Sequence, residues 1–384
     1  MKALRKLIDN IKPTFSKGGK LGFLHSSFDA FETFLFVPDT VTKKGTHIRD
    51  SIDLKRTMTI VIIALMPALL FGIWNTGYQH NLATGANMDF WQMVLHGFIK
   101  VFPMIVVSYA VGLGIEFASA QIRGHEVNEG YLVTGMLIPL IMPVDLPLWM
   151  LALSVVFAVI VGKEVFGGTG MNIWNPALLA RAFAFFAYPS HMSGDKVWIS
   201  GLTKGEGVID GFSGATPLAN AQAGVDIPSF QDMFLGFIPG SVGETSALAI
   251  LLGAALLIFT GIASWKIMVS VFAGGLLTAL FLNLVAPPDS YMAMPAWNHL
   301  VMGGFAFGAV FMATDPVTGS QTEAGKWIYG FLIGFVVIII RVFNPGYPEG
   351  MMLSILLMNT FAPLIDHIVV QRNIKRRLKR AIIK

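Results

Sequence analysis

The stretch Asp210-Gly211-Phe212-Ser213-Gly214-Ala215-Thr216-Pro217-Leu218 sets one threonine hydroxyl among small neighbours. Gly214 and Ala215 leave room for a bulky group to approach Thr216. Ser213 and the backbone N–H groups around it can hydrogen-bond phosphate oxygens, and Asp210 opens the run. The same composition also makes an ordinary surface turn, and the residues alone leave both readings open.

A second constellation is Gly167-Gly168-Thr169-Gly170-Met171-Asn172, just before Asn175-Pro176. Glycine lets backbone approach a cofactor or an ion, and the carbonyls of a broken helix can coordinate cations. Glycine also serves close helix contacts in membranes, so the structural reading stands beside the functional one. Third are the acidic residues at the ends of apolar runs: Glu129, Glu164, Glu244, Asp315, Glu349 and Asp366. Ionisable groups at membrane depth face a cavity or a partner charge. Carboxylate oxygens suit hard cations such as sodium, which makes Asp315, Asp366 and Glu129 candidates for a cation path. The alternative is neutralising pairs, Lys163 with Glu164 or Arg341 with Glu349. Arg181 lies inside an apolar run with no acidic neighbour in sequence, and is a candidate either for a cofactor phosphate or for a carboxylate on another helix. The histidines have no metal-type spacing.

The elements that must position these residues follow from composition. The chain has 384 residues, 54% hydrophobic and 13% charged. A soluble domain carries about 25% charged residues, so this chain has its surface in lipid. It has no cysteine, which removes disulfides and cysteine-held iron–sulfur clusters from its chemistry. Of its 27 Lys and Arg, 11 fall in residues 2–56 and 7 in 372–384, outside the apolar body. The location of this charge speaks for membrane orientation rather than for nucleic acid. The first long apolar run begins near Thr57, and nothing before it resembles a cleavable leader.

A span needs about 20 mostly apolar residues. Spans are expected at 57–76, 98–119, 130–145, 147–163, 174–190, 244–263, 265–286, 298–313, 327–343 and 351–370. The expected organisation is a basic cytoplasmic arm with short interfacial helices (1–56), a first five-helix repeat (57–190), a polar loop (191–243), a second five-helix repeat (244–370) and a basic tail (371–384). The repeat is read from "LPLWMLALSVVFAVIVGKEVFGGTGMN" (146–172) against "MPAWNHLVMGGFAFGAVFMATDPVTGS" (294–320), and from "MPALLFGI" (66–73) against "GAALLIFTGI" (253–262). Each copy holds an odd number of spans, so the two insert in opposite orientations. The fold class is therefore an all-α integral membrane protein, with about ten spanning helices in two inverted repeats of the urea-transporter-like kind. Loops 77–97, 142–147 and 286–297 contain no Lys or Arg, which puts both termini in the cytoplasm and the polar loop outside.

"SGAT" (213–216) in such a loop resembles the flavinylation motif of two related respiratory systems. "HEVNEG" (125–130), "GKEVFGGTGMNIWNPALLARAF" (162–183), "MATDPV" (312–317) and "NPGYPEGMML" (344–353) fall in order around it. From about residue 50 onward the chain resembles the NqrB/RnfD family, whose members are membrane subunits of the sodium-translocating NADH:quinone oxidoreductases and of the Rnf ferredoxin:NAD oxidoreductases. The basic arm and the longer motifs fit the quinone-reductase side of the family better. The resemblance implies FMN joined by a phosphoester to Thr216, with Asp210, Ser213, Gly214 and Ala215 as its motif. It also implies a non-covalent riboflavin, and a quinone substrate near the arm and the first spans. It points to Asp315, Asp366 and Glu129 in cation uptake. The implied setting is a bacterial inner membrane, with the flavin loop periplasmic. The implied partners are an NADH-oxidising flavoprotein, a second FMN-bearing subunit, a flavin transferase and Na+. NADH oxidation must lie on another subunit, because "GGTG" (167–170) is no dinucleotide fingerprint. The alternatives are the Rnf-type homologue and a non-redox channel or secondary transporter of the same fold.

Overall fold

The computed structural model describes residues 2–382 apart from 17, 38–40, 49, 51, 125–129, 206–208, 210, 211, 288, 289 and 345. Among the described residues every regular element is helical. In chain order they are α1 (Lys2–Phe15), α2 (His25–Leu35), α3 (Leu54–Thr84), α4 (Phe90–Arg123), α5 (Tyr131–Leu140), α6 (Leu148–Ile160), α7 (Pro176–Ala187) and α8 (Pro189–Met192). Then follow α9 (Pro217–Gln222), α10 (Phe230–Leu235), α11 (Ala247–Phe259), α12 (Trp265–Val285), α13 (Asn298–Val301), α14 (Phe305–Phe307), α15 (Glu323–Phe343) and α16 (Met351–Ile382).

Each expected span meets helix, but the lengths differ from expectation. Six helical segments are long and apolar enough to cross a membrane: α3, α4, α6 with its short extension to Phe166, α12, α15 and α16. Helices α5, α7 and α11 are shorter, at 10, 12 and 13 residues. At about 1.5 Å per residue they reach about 15–20 Å, well short of a hydrocarbon core of about 30 Å. The run over 298–312 is broken outright. Pro147 leads into the continuous α6, whereas Pro295 leads into α13, α14 and a π-helical turn over Gly308–Met312. The two Pro-x-Trp stretches therefore differ in conformation.

The sequence sets the ends of these helices. Asp53 caps α3 by accepting the Arg56 N–H at 3.0 Å, and Gly85 closes it with a left-handed φ of 63°. Asp89 and Gln92 form a reciprocal capping box at the start of α4. The breaks then start anew at polar-proline pairs. Asn175 caps α7 with Pro176 in its first turn, and Thr216 caps α9 with Pro217.

The main core is a large cluster rich in Leu, Ile, Val, Met and Ala drawn from both halves of the chain, with two smaller clusters beside it among the described residues. Helices α12 and α15 close on each other through small residues: a Cβ on Gly274 would lie 2.3 Å from the Phe331 carbonyl oxygen, and one on Gly334 2.2 Å from that of Val271. Outward, Phe98, Ile99, Phe102 and Val106 on α4 and Phe281 and Leu284 on α12 are exposed, as lipid-facing side chains must be.

Buried Arg341 holds the broken run. Its guanidinium donates to the carbonyls of His299, Met302 (2.8 Å) and Glu349 (2.9 Å). The sequence suggested a pair between the Arg341 and Glu349 side chains. Arg341 instead bonds the Glu349 backbone oxygen, while its other nitrogens meet the His299 and Met302 carbonyls that the broken helix leaves without intrahelical donors.

Candidate functional site

A cavity of about 240 Å3 has Thr216, Trp198 and Tyr347 among its walls, with Arg181, Glu244 and Glu349. Thr216 is half-buried, and its hydroxyl oxygen accepts the Ala219 N–H at 3.3 Å. Bonding the third N–H of the helix is the usual N-cap geometry, and Thr216 lines the cavity. The exposed Ser213 hydroxyl accepts the Ala215 N–H at 3.3 Å, which tightens the turn. Gly214 is buried, and a Cβ there would sit 2.3 Å from the Asp195 carbonyl oxygen. The space expected beside Gly214 for a ligand is thus filled by protein: the missing side chain lets the turn dock on segment 195–202. Ala215 is half-buried beside it. Asp210 lies outside the described residues, as does Glu129.

Segment 195–202 is itself pinned. The Asp145 carboxylate accepts the Gly201 N–H at 3.0 Å and the Thr203 hydroxyl at 2.7 Å. His80 donates from Nδ1 to the Ser200 carbonyl oxygen at 2.7 Å, and His96 Nε2 meets the Ser200 hydroxyl at 3.1 Å. The two imidazoles stack with centroids 4.1 Å apart.

Arg181 is 4% exposed and binds two carboxylates. Its Nη1 donates to Glu244 Oε1 at 2.6 Å and its Nη2 to Glu349 Oε2. Of its two expected roles the structure gives it the carboxylates, which come from 63 and 168 residues away in sequence. These two bonds use two of the five N–H donors of the guanidinium, and Arg181 also lines the Thr216 cavity.

A second cavity, about 120 Å3, lies at the other end of α7. Asn175 and Pro176 line this one, while Arg181 and Phe185 line the first. Six residues of helix separate Asn175 from Arg181, about 9 Å along the axis. The second cavity brings Thr169, Asn172 and Asn175 of the glycine-rich break together with Asp315. Asp315 accepts from Asn175 Nδ2 (3.3 Å), the Thr318 hydroxyl (3.0 Å) and the Val317 N–H (3.0 Å). Lys163 lines the same cavity and pairs with Glu116 of α4; both are buried. The pair suggested between Lys163 and Glu164 is replaced by this one. Glu164 instead takes the Ser119 hydroxyl and Arg123 (3.5 Å). Asp366 lines neither cavity. It accepts two backbone N–H groups, from Gln321 and Thr322, and the hydroxyls of Ser320 and Thr322, which ties the start of α15 to α16.

Sequence reasoning passed over Glu116, though a carboxylate inside the apolar run of α4 was itself a signal. It also passed over Ser241, Thr245 and Trp198, for which no local signal exists.

A sequence model of the NQR2, RnfD, RnfE family matches residues 41–375. A subunit of the Na(+)-translocating NADH-quinone reductase of Ectopseudomonas mendocina is 48% identical, over 99% of this chain and 100% of the relative. The proteins of the same name from Chromohalobacter salexigens and Azotobacter vinelandii are 47% and 46% identical, covering 98% and 99% of this chain and 96% and 100% of their own. With a match over most of its length and relatives of near-equal length at almost half identity, the chain belongs to the NQR2, RnfD, RnfE family.

Proposed function

We propose that the chain is a membrane subunit of a sodium-translocating NADH:quinone reductase, carrying FMN on Thr216. The carrying observation is the near-half identity along the full length to relatives named as a subunit of that enzyme. That name also favours the quinone reductase over the ferredoxin-linked Rnf system. In this reading NADH is oxidised on another subunit, quinone is the acceptor, and a flavin transferase loads Thr216. The ten apolar segments form two inverted repeats, both termini are cytoplasmic and the Thr216 loop is periplasmic. Support for that orientation is the basic residues at the two chain ends.

The residues around Thr216 fit a group held by phosphoester. Its oxygen is preset at a helix start and faces a cavity, and Phe185, Trp198 and Tyr347 offer flat walls for a ring. When bound there, a flavin would supply one- and two-electron transfer. The chain's own part is to hold the attachment point still. Gly214 seats the turn, Asp145 and the two histidines brace the segment beneath, and the Arg181 pairs fix α7 against the loops carrying Glu244 and Glu349. The second cavity, with Asn172, Asn175 and Thr314 among its walls, offers uncharged donors and acceptors, but at about 120 Å3 it could take only part of a riboflavin. Asp315 on the same wall is the candidate for cation entry, while Asp366 is taken up by four donors and acts through the loop it anchors.

The test is NADH-driven uptake of radioactive sodium into inverted membrane vesicles from cells lacking the chain's gene. The wild-type chain should restore quinone-dependent uptake. Thr216→Ala should assemble the complex yet restore neither quinone reduction nor uptake. Full uptake with Thr216→Ala would remove the flavin from the account.

A further inference from the structure

The last helix does not stop where the membrane does. Helix α16 has 32 residues, about 48 Å, against a hydrocarbon core of about 30 Å. Asp366 marks its level in the bilayer: the carboxylate takes the N–H groups of Gln321 (2.8 Å) and Thr322 (2.9 Å) at the start of α15. The starts of α12 and α15 hold Trp265 and Trp327, with ring centroids 5.7 Å apart, and the ion pairs of Glu323 with Lys266 and Lys326. Tryptophans beside charges mark a membrane–water interface. Past that level the helix runs on, and every residue from 371 to 381 is exposed. Among the described residues, then, this stretch has no face covered by its own chain. It carries six basic residues over 372–380, and no Asp or Glu follows Asp366. Arg372 with Arg376, Lys375 with Lys379 and Arg376 with Arg380 are like charges one turn apart, which oppose the helix. Ile374 and Leu378, also one turn apart, are 43% and 58% exposed and make an apolar stripe amid this charge. By helical spacing Lys375 and Arg377 flank the stripe, one on each side.

We propose that the end of α16 beyond Gln371 is a docking helix for a cytoplasmic protein surface, an apolar groove with an acidic rim. An apolar stripe with charged flanks is how a helix enters such a groove, and an acidic rim supplies the opposite charges that the helix itself lacks. The competing occupant is an anionic lipid leaflet, and reach decides against it. The headgroup layer adds only about 5–8 Å on each side of the core. Arg380 stands about 21 Å past Asp366 along the axis, and a tilt of about 20° shortens this by only about 1 Å. The distance left between Arg380 and the headgroups exceeds the Debye length of about 8 Å. Lipid can meet Arg372 and Lys375, so the preference for basic residues on the inner side accounts for these two but not for the turns beyond them. That the groove belongs to another subunit of one complex, on the cytoplasmic side, rests on the proposed function; the exposure, charge and stripe of the helix do not.

The experiment is photo-crosslinking in intact cells, with p-benzoylphenylalanine put in place of Leu378 and, in a separate chain, of Ile374. After illumination the complex is purified through a tag on this chain, and the adducts are identified by mass spectrometry. At one or both positions the expected adduct is with one and the same cytoplasm-facing subunit of the complex. Reversing the flanking charges with Lys375→Glu and Arg377→Glu should cut its yield at least about tenfold, since like charges then face each other across the contact. Four basic residues remain over 372–380 in that variant, so the orientation of the chain is kept. An adduct of phospholipid mass alone would give the helix to the leaflet and overturn the proposal. So would the absence of any adduct at both positions, or a protein adduct whose yield the reversal leaves unchanged. Flavin fluorescence of the same purified chain separates this from the proposed function. A dark chain that crosslinks to a subunit keeps the docking helix and sinks the flavin, and a fluorescent chain without an adduct does the reverse.

Discussion

Gly214 and Thr216 divide the work of the loop between shape and chemistry. In the proposed reading Thr216 supplies the attachment oxygen, and Gly214 supplies the absence of a side chain where the Asp195 carbonyl passes. Gly214→Ala places a methyl 2.3 Å from that oxygen, nearer than any real contact, so the turn must lift off segment 195–202. We expect this substitution to cut covalent flavin at least about tenfold while leaving the Thr216 hydroxyl in the protein, because a small misplacement of a reacting group costs about a hundredfold in rate. Flavin fluorescence per unit of assembled protein measures it, and wild-type loading in Gly214→Ala would refute the packing role. At this scale the sequence was half legible. The hydroxyl, the small neighbours and the lone Arg181 were all visible. The reason for the glycine was not, because Asp195 reaches it only through the folding of the loop. Nor could local reading pair Arg181 with Glu244 and Glu349, since such pairs form only once distant elements pack.

Among the elements, the broken run over 298–312 and its clamp differ most from a plain helical bundle. Two backbone carbonyls of the broken run, His299 and Met302, and that of Glu349 before α16 converge on the Arg341 guanidinium, which is fully buried. Arg341→Met would take the side-chain donor from the His299 and Met302 carbonyls, whereas the Glu349 carbonyl keeps the Met351 N–H. Charge-assisted bonds contribute about 1.5–3 kcal/mol each, so the loss should be on the order of 3 kcal/mol or more. Expected is a clear fall in the thermal midpoint of the detergent-solubilised chain. Arg341→Lys should recover only part of it, since an ammonium cannot reach three carbonyls in fork geometry. A midpoint unchanged in Arg341→Met would show that water or neighbouring groups satisfy the break. Helix positions were legible because apolar runs locate spans, and caps were legible where Asp, Asn or Thr stand at helix starts. Helix lengths at α5, α7 and α11 were not, because a half-helix buried in protein and a full span share the same apolar composition.

On the scale of the whole molecule, the chain has two cavities at the two ends of α7, and polar loops and basic termini outside an apolar body. The lack of cysteine makes its orientation directly measurable. A cysteine introduced at exposed Asp226 should react with a membrane-impermeant maleimide in spheroplasts, and one at exposed Asn373 only after the membrane is opened. The reverse pattern would invert the proposed topology. The central proposal is narrower, that Thr216 carries a covalent flavin. Its most direct test is in-gel fluorescence after denaturing electrophoresis, with wild type and Thr216→Ala expressed alongside the native flavin transferase. A fluorescent band in the wild type that vanishes in Thr216→Ala is the predicted result. A dark wild-type band, with the transferase shown to be active on another substrate, would contradict it.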